Sequence, residues 1–141
     1  MKFHIFTCAI VATLCLSQPL VGQENDKKET PLGKQMEAMN DAYKAIKKET
    51  DPVKGATLAR SAQDALIKSL SEVPQLVAKG PEADKAKSVA NFRTMLGKAF
   101  VSFSEIEEAF VANDLEKVKT LVEGIRSLKK EGHEKYIEED K

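Results

Sequence analysis

Residues 31–48 read PLGKQMEAMNDAYKAIKK. Their large apolar side chains recur at intervals of four, three, four and three residues: Leu32, Met36, Met39, Tyr43 and Ile46. On a helix of about 3.6 residues per turn, this spacing puts all five on one face. Thr30 is suited to be the N-cap and Pro31 the first helical residue, where its missing N–H costs no hydrogen bond. The stretch therefore predicts an amphipathic helix that ends near Glu49 and packs its apolar face on other elements.

A second helix is predicted from Pro52 to Val73, after a turn at Thr50 and Asp51. Its inward or nearly inward residues are predicted to be Val53, Leu58, Ala62, Leu66, Ile67, Leu70 and Val73. The stretch from Pro74 to Pro81 contains Gly80 and is predicted to be a break between helices.

Two more helices complete the chain. The third is predicted from Pro81 to Val111, with its apolar stripe at Val89, Phe92, Leu96, Ala99, Phe103, Ile106 and Phe110. The fourth follows a cap at Asn113 and Asp114, and its apolar residues are Leu115, Val118, Val122 and Ile125. No alternating apolar and polar pattern interrupts the helices, so strands are not expected. Four amphipathic helices with short connections predict an all-α, up-down-up-down antiparallel four-helix bundle over residues 31–141.

The first 22 residues have the pattern of a cleaved signal peptide. Lys2 precedes an apolar run from Ile5 to Leu16 that is too short for a comfortable membrane span, and cleavage after Gly22 is predicted. We therefore expect export to the periplasm without stable membrane insertion, an uncleaved anchor being the alternative. The polar segment 23–30 is predicted to be disordered.

Composition excludes several classes of function. Removal of residues 1–22 takes away one lysine and no acidic residue, which leaves 21 basic and 22 acidic residues. A net charge near −1 argues against a nucleic-acid-binding protein, which would carry a basic face. Both cysteines, Cys8 and Cys15, lie in the signal, so the exported chain has no disulfide and no thiolate site. The serines have no histidine constellation around them, and we expect no enzymatic activity.

Met36 and His133 are the residues that indicate a chemistry. In this topology the start of the first helix lies beside the end of the last. Met36 lies about 9 Å beyond Thr30 and His133 about 12 Å before the C-terminus, at 1.5 Å per residue. The apolar stripe of the last helix continues to Lys129, to Gly132 or His133, and to Tyr136. The two side chains are therefore predicted at one end of the bundle.

Taken singly, a lone helical histidine is usually partly exposed, and a methionine in an apolar stripe is usually packing material. Together, an imidazole and a thioether form an axial pair for haem iron. The candidate walls of such a site are Leu66, Leu70, Phe92, Met95 and Leu96. Copper is the alternative metal, since thioethers suit Cu(I) and Met39 is near, although a copper carrier would show denser clusters of methionine or histidine.

Three stretches resemble the soluble cytochrome b562 family. Residues 31–48 look like its opening helix, ANFRTML (90–96) is similar to the start of its third helix, and residues 112–136 resemble its last helix. The resemblance implies a haem-binding bundle that transfers single electrons, with Met36 and His133 as axial ligands. It also implies that Phe92 contacts the haem.

The resemblance also implies how the haem is held. Lys129 stands where the family has an arginine, so a point charge would face a haem propionate. Leu96 stands where a second aromatic residue is expected. Related cytochromes c′ attach haem through CxxCH, whose cysteines would fall on Lys129 and Gly132. One haem b per chain is therefore expected to bind non-covalently.

The sequence leaves open whether the chain binds haem and which protein is its redox partner. The same helices and signal would suit an exported helical-bundle binding or adaptor module without haem. We expect a monomer that exchanges electrons with a redox partner protein, which the sequence does not identify.

Overall fold

The computed structural model describes residues 30–137, and throughout that range the protein is all-α, as predicted. Its helices in chain order are α1 (Pro31–Ile46), α2 (Pro52–Ser69), α3 (Gln75–Lys79), α4 (Glu82–Val111) and α5 (Leu115–Tyr136). The predicted signal peptide, nearly all of the predicted disordered segment and the last four residues lie outside the described residues.

The four long helices form an antiparallel bundle. α2 packs against both α1 and α4, and α5 packs against α4. The core is apolar, and its largest fully buried side chains are Phe103, Phe110, Ile46, Leu66 and Ile106. Within residues 30–137, α1 and α5 lack the close backbone packing that joins the other neighbouring long helices. This side of the bundle is therefore joined mainly through side chains.

Three of the helices, α1, α2 and α5, begin where their caps predict. The Thr30 hydroxyl accepts a hydrogen bond from the Gly33 N–H at 3.0 Å, and Asp51 accepts from Val53 and Lys54 at 3.0 and 2.9 Å. Asp114 accepts from Lys117 at 2.9 Å. These bonds satisfy N–H groups that have no partner inside the helix. The last reversal turns at Asn113, whose φ of 55° lies in the left-handed region that asparagine tolerates.

The predicted break from Pro74 to Pro81 is wrong in part, because it contains α3. Val77 is buried and anchors this single turn. α2 ends at Ser69 instead of Val73, in a turn closed by the bonds from Leu70 N–H to the Ile67 carbonyl and from Glu72 N–H to the Ser69 carbonyl. Val73 itself precedes Pro74, whose ring disfavours helical backbone angles there. α1 likewise ends at Ile46, three residues before Glu49, in a turn closed by the bond from Glu49 N–H to the Ile46 carbonyl.

The predicted inward face of α2 needs correction. Val53, Ile67, Leu70 and Val73 are exposed, Val53 by 76% and Leu70 by 41%. The buried residues of α2 are mostly small: Gly55, Ala56, Ala59, Ala62, Gln63, Ala65, Leu66 and Ser69. Small residues face inward because α2 lies between α1 and α4 and approaches both closely. The predicted cores of the last two long helices are confirmed from Phe92 to Phe110 and from Val118 to Ile125.

None of the helices in the described range is both long and apolar enough to cross a membrane.

Candidate functional site

Met36 lies in the second turn of α1, on the face turned to the core. It is half-buried and packs against the main apolar cluster, as does Met39 one turn later. The Thr30 cap and Pro31 start the helix and so fix where along its axis Met36 falls. The sequence prediction of an inward Met36 agrees with this burial.

The last turns of α5 carry the predicted imidazole. The buried stripe of Val118, Val122 and Ile125 continues into the half-buried residues Lys129, Gly132 and Tyr136. His133 lies beside this stripe and is exposed. The polar face next to it carries Glu131 and Lys135, whose charged groups are 2.7 Å apart. The hydrogen bond from Lys135 lowers the pKa of Glu131, and the same bond raises the pKa of Lys135.

One hydrogen bond sets the register between α1 and α5. The Lys129 ammonium donates to the Asn40 side-chain oxygen at 2.7 Å. Because the two helices are antiparallel, four residues back along α1 and four residues forward along α5 lead to the same end of the bundle. Each step covers about 6 Å. The steps end at Met36 and at His133, so the two predicted ligands lie at a similar level.

Tyr43 supports this register. It lies three residues beyond Asn40 on α1, and Arg126 lies three residues before Lys129 on α5. The pKa of the Tyr43 phenol is raised mainly by burial and further by the charge of Glu123, while Arg126 lowers it. Side chains of α5 thus act on Tyr43 at the level that the Lys129 bond requires.

α4 holds the end of α5 from the other side. The rings of Phe92 and Tyr136 meet edge to face, with centroids 5.1 Å apart and planes at 70°. The Met95 sulfur lies against Gly132, 3.1 Å from the point that a side-chain Cβ there would occupy. Both contacts flank His133 in the sequence of α5.

The remaining predicted site residues differ in their surroundings. Phe92, Leu96 and Leu66 are buried. Leu70 is exposed at the C-cap of α2, where its carbonyl accepts a hydrogen bond from Arg93 at 3.0 Å. The expectation of an inward Leu70 is therefore wrong. Lys129 faces Asn40, a partner that sequence reasoning missed, although Asn40 lies one turn after Met36 on the same helix.

Two surface clefts lie elsewhere on the molecule. A cleft of about 710 Å³ lies between α4 and α5 and is lined by Gly97, Val101, Gly124 and Leu128, among others. A second of about 220 Å³ lies near the turn between α1 and α2. Neither is lined by Met36 or His133. Among the described residues no group of three or more histidine, cysteine, aspartate or glutamate side chains is arranged to hold a metal ion.

The donor set and its surroundings fit an iron porphyrin better than a bare metal ion. One soft sulfur and one imidazole come from facing helices, and the adjoining side chains of Phe92, Leu96 and Leu66 are apolar. A haem is held by one or two axial donors within an apolar lining, whereas a protein-only metal site usually takes three or four protein ligands.

Comparison with known proteins gave one match. The family model for cytochrome b562 matches residues 31–136, which run from the first residue of α1 to the last residue of α5. The matched range includes both Met36 and His133. Neither the curated proteins nor the solved structures gave a match to this chain.

Proposed function

This chain belongs to the cytochrome b562 family of haem-binding electron carriers, and from that membership we propose that it is an exported b-type cytochrome. It holds one haem non-covalently between Met36 and His133 and carries one electron at a time. When bound, haem supplies a one-electron Fe(III)/Fe(II) couple.

The Lys129–Asn40 hydrogen bond is the observation that carries this proposal. It joins α1 to α5 at 2.7 Å, on the side of the bundle where backbone packing is loose. Met36 and His133 each lie four residues from it, toward the same end. Two donors from different helices at one level are what a flat macrocycle with two axial ligands requires.

Each proposed ligand has a separate role. The thioether of Met36 is a soft donor that favours the ferrous state, so the potential is higher than with two imidazoles. His133 supplies the imidazole nitrogen. Because His133 is exposed in the described structure, binding requires its side chain to turn toward the α1–α5 side.

The remaining site residues line the macrocycle or meet its charges. Phe92 and Leu96 on α4 and Leu66 on α2 provide buried apolar surface. Lys129 would supply a point charge for a haem propionate near its position beside Asn40. Positions 129 and 132 hold lysine and glycine, so no thioether link to haem forms at the usual CxxCH spacing.

The proposal includes export and the absence of enzymatic chemistry. The signal-like residues 1–22 direct the chain to the periplasm, where it exchanges electrons with a redox partner through an exposed haem edge. Outer-sphere transfer of this kind needs no general base and no nucleophile. Mass spectrometry of protein from the periplasmic fraction should find a chain that starts at Gln23.

Haem binding and ligand identity are tested by spectroscopy of protein reconstituted with haemin. The parent should show a sharp Soret band and, when reduced, separate α and β bands. His133→Ala should abolish low-spin binding, because the chain after the signal has no other histidine. Met36→Ala should leave a weaker, high-spin complex of lower potential.

Met39→Ala is the matched control, since Met39 is another half-buried thioether on the same helix. It should keep the parent spectrum. If both ligand variants also keep that spectrum, the assignment of ligands is wrong. Broad and weak haemin adsorption by the parent would favour the binding-module alternative, and tight Cu(I) binding without haem binding would favour the copper alternative.

A further inference from the structure

Met95 and Gly132 form a close contact between α4 and α5 at the position before His133. A Cβ atom added to Gly132 would lie 3.1 Å from the Met95 sulfur, which is tighter than ordinary van der Waals contact. Both residues are half-buried. The absence of a side chain at position 132 therefore leaves a notch on α5, and the thioether fills it.

The notch is specific to this level of α5. A Cβ added to Gly124, two turns earlier on the same helix, would meet no atom within 4 Å, and neither would one added to Gly97 on α4. Methionine is suited to such a gap, because its flexible and polarisable side chain fits irregular spaces. The contact at Gly132 thus reflects packing and is not a general property of glycine on these helices.

A second contact fixes the next turn. The Phe92 ring lies three residues before Met95 on α4, and its partner Tyr136 lies four residues after Gly132 on α5. Residues three or four apart share one face of a helix. One face of α4 therefore holds α5 at two points, and His133 lies between them.

From this arrangement we propose that Met95 is a positioning residue for His133. Its sulfur in the Gly132 notch sets how closely and at what rotation the last turns of α5 pack on α4. That packing determines where the imidazole nitrogen lies relative to Met36 across the bundle. This inference rests on the proposed haem function, and it assigns to Met95 no bond to iron.

The physical reason is the sensitivity of axial ligation to position. Strong-field, low-spin binding requires both axial donors at bonding distance, and groups that orient a metal ligand typically change metal affinity by about tenfold to a hundredfold when removed. A methyl group at position 132 forces Met95 to move by a few tenths of an ångström or pushes α5 outward. Loss of the Met95 side chain leaves the turn before His133 without its support.

The test is a double-mutant cycle on the haemin-reconstituted protein. Met95→Ala and Gly132→Ala should each weaken haem binding by about tenfold and increase the high-spin fraction. In the double variant the Gly132→Ala change should have a smaller effect, because residues in contact are not additive and the truncated side chain at position 95 leaves room for the methyl group. Gly124→Ala is the matched control and should keep the parent affinity and spectrum.

Amide hydrogen exchange in the haem-free protein gives a readout that does not depend on haem. Met95→Ala should speed exchange at residues 132–136 and leave residues 118–122 unchanged. The role of Met95 would be overturned if the parent binds low-spin haem and both single variants bind it equally well. It would also be overturned if the losses of haem affinity from Met95→Ala and Gly132→Ala simply multiply in the double variant. In both cases the proposed function would still stand. A parent that binds no haem would overturn both.

Discussion

At the scale of single residues, two glycines predict opposite effects of the same substitution. A Cβ at Gly55 would overlap the ring of Phe110, which is fully buried and has no room to move. Gly55→Ala should therefore lower the free energy of unfolding by about 1–3 kcal/mol through overpacking. Gly124→Ala adds a methyl group in open space and should raise that free energy by about 0.5–1 kcal/mol through helix propensity.

Urea unfolding followed by circular dichroism measures both changes. The m-value should be the same for both variants and the parent, because neither substitution alters the surface exposed on unfolding. Similar losses of stability in the two variants would contradict the explanation by overlap with Phe110, since of these two glycines Gly55 alone lies against that ring.

The surroundings of the two predicted ligands, Met36 and His133, could be predicted from the sequence only in part. Spacing along a helix gives the buried face to within one residue, and neighbours such as Gly132 and His133 differ by about 100° around the axis. Gly132 is half-buried and His133 is exposed, so the edge of the buried face of α5 runs between them. Asn40 was missed because its role depends on the register between two helices, which no local pattern contains.

At the scale of elements, periodicity predicted the long helices well and the short one not at all. α4 and α5 repeat their apolar residues over many turns, and their predicted cores match the structure. α3 has five residues, too few for a period to show. The inward face of α2 was assigned to its large residues, whereas tight packing between two neighbours selected alanine and glycine.

A polar cluster between α2 and α4 predicts a pH-dependent stability. Glu107 on α4 accepts hydrogen bonds from Arg60 at 2.6 Å and from Gln63 at 2.7 Å, both on α2. The hydrogen bond from Arg60 is the main cause that lowers the pKa of Glu107 below 4.5. The bond from Gln63 lowers it further, while desolvation by burial acts in the opposite direction. Between the lowered pKa of Glu107 in the folded protein and its ordinary pKa in the unfolded chain, the unfolded chain therefore binds more protons than the folded one.

It follows that this stabilisation is fully present above the ordinary glutamate pKa and is lost as the pH falls through the lowered pKa. Glu107→Gln should reduce stability near neutral pH and should flatten the decline in acid. The measurement is the urea midpoint at about pH 7 and about pH 3, with the exposed Glu108→Gln on the same helix as control. An equally steep acid decline in the Glu107→Gln variant and the parent would exclude this carboxylate as its source.

At the scale of the whole molecule, the bundle is held unevenly. α2 and α4 form its closely packed centre, while α1 and α5 meet through long side chains such as Lys129 and Asn40. The proposed ligands lie on these two loosely joined helices. A ligand bound by both helices would therefore join the bundle where the packing of its own helices is loosest.

Haem should therefore stabilise the whole fold. A ligand that binds only the folded state adds about 2.7 kcal/mol at a free concentration one hundred times its Kd. For a bundle of this size, that corresponds to a rise in Tm of about 10 °C or more. Thermal melts followed by circular dichroism, with and without haem, measure the shift. His133→Ala should melt at the same temperature with and without haem, because the variant lacks the proposed imidazole ligand. A parent whose Tm does not respond to haem would show that haem does not join α1 to α5 in the folded protein.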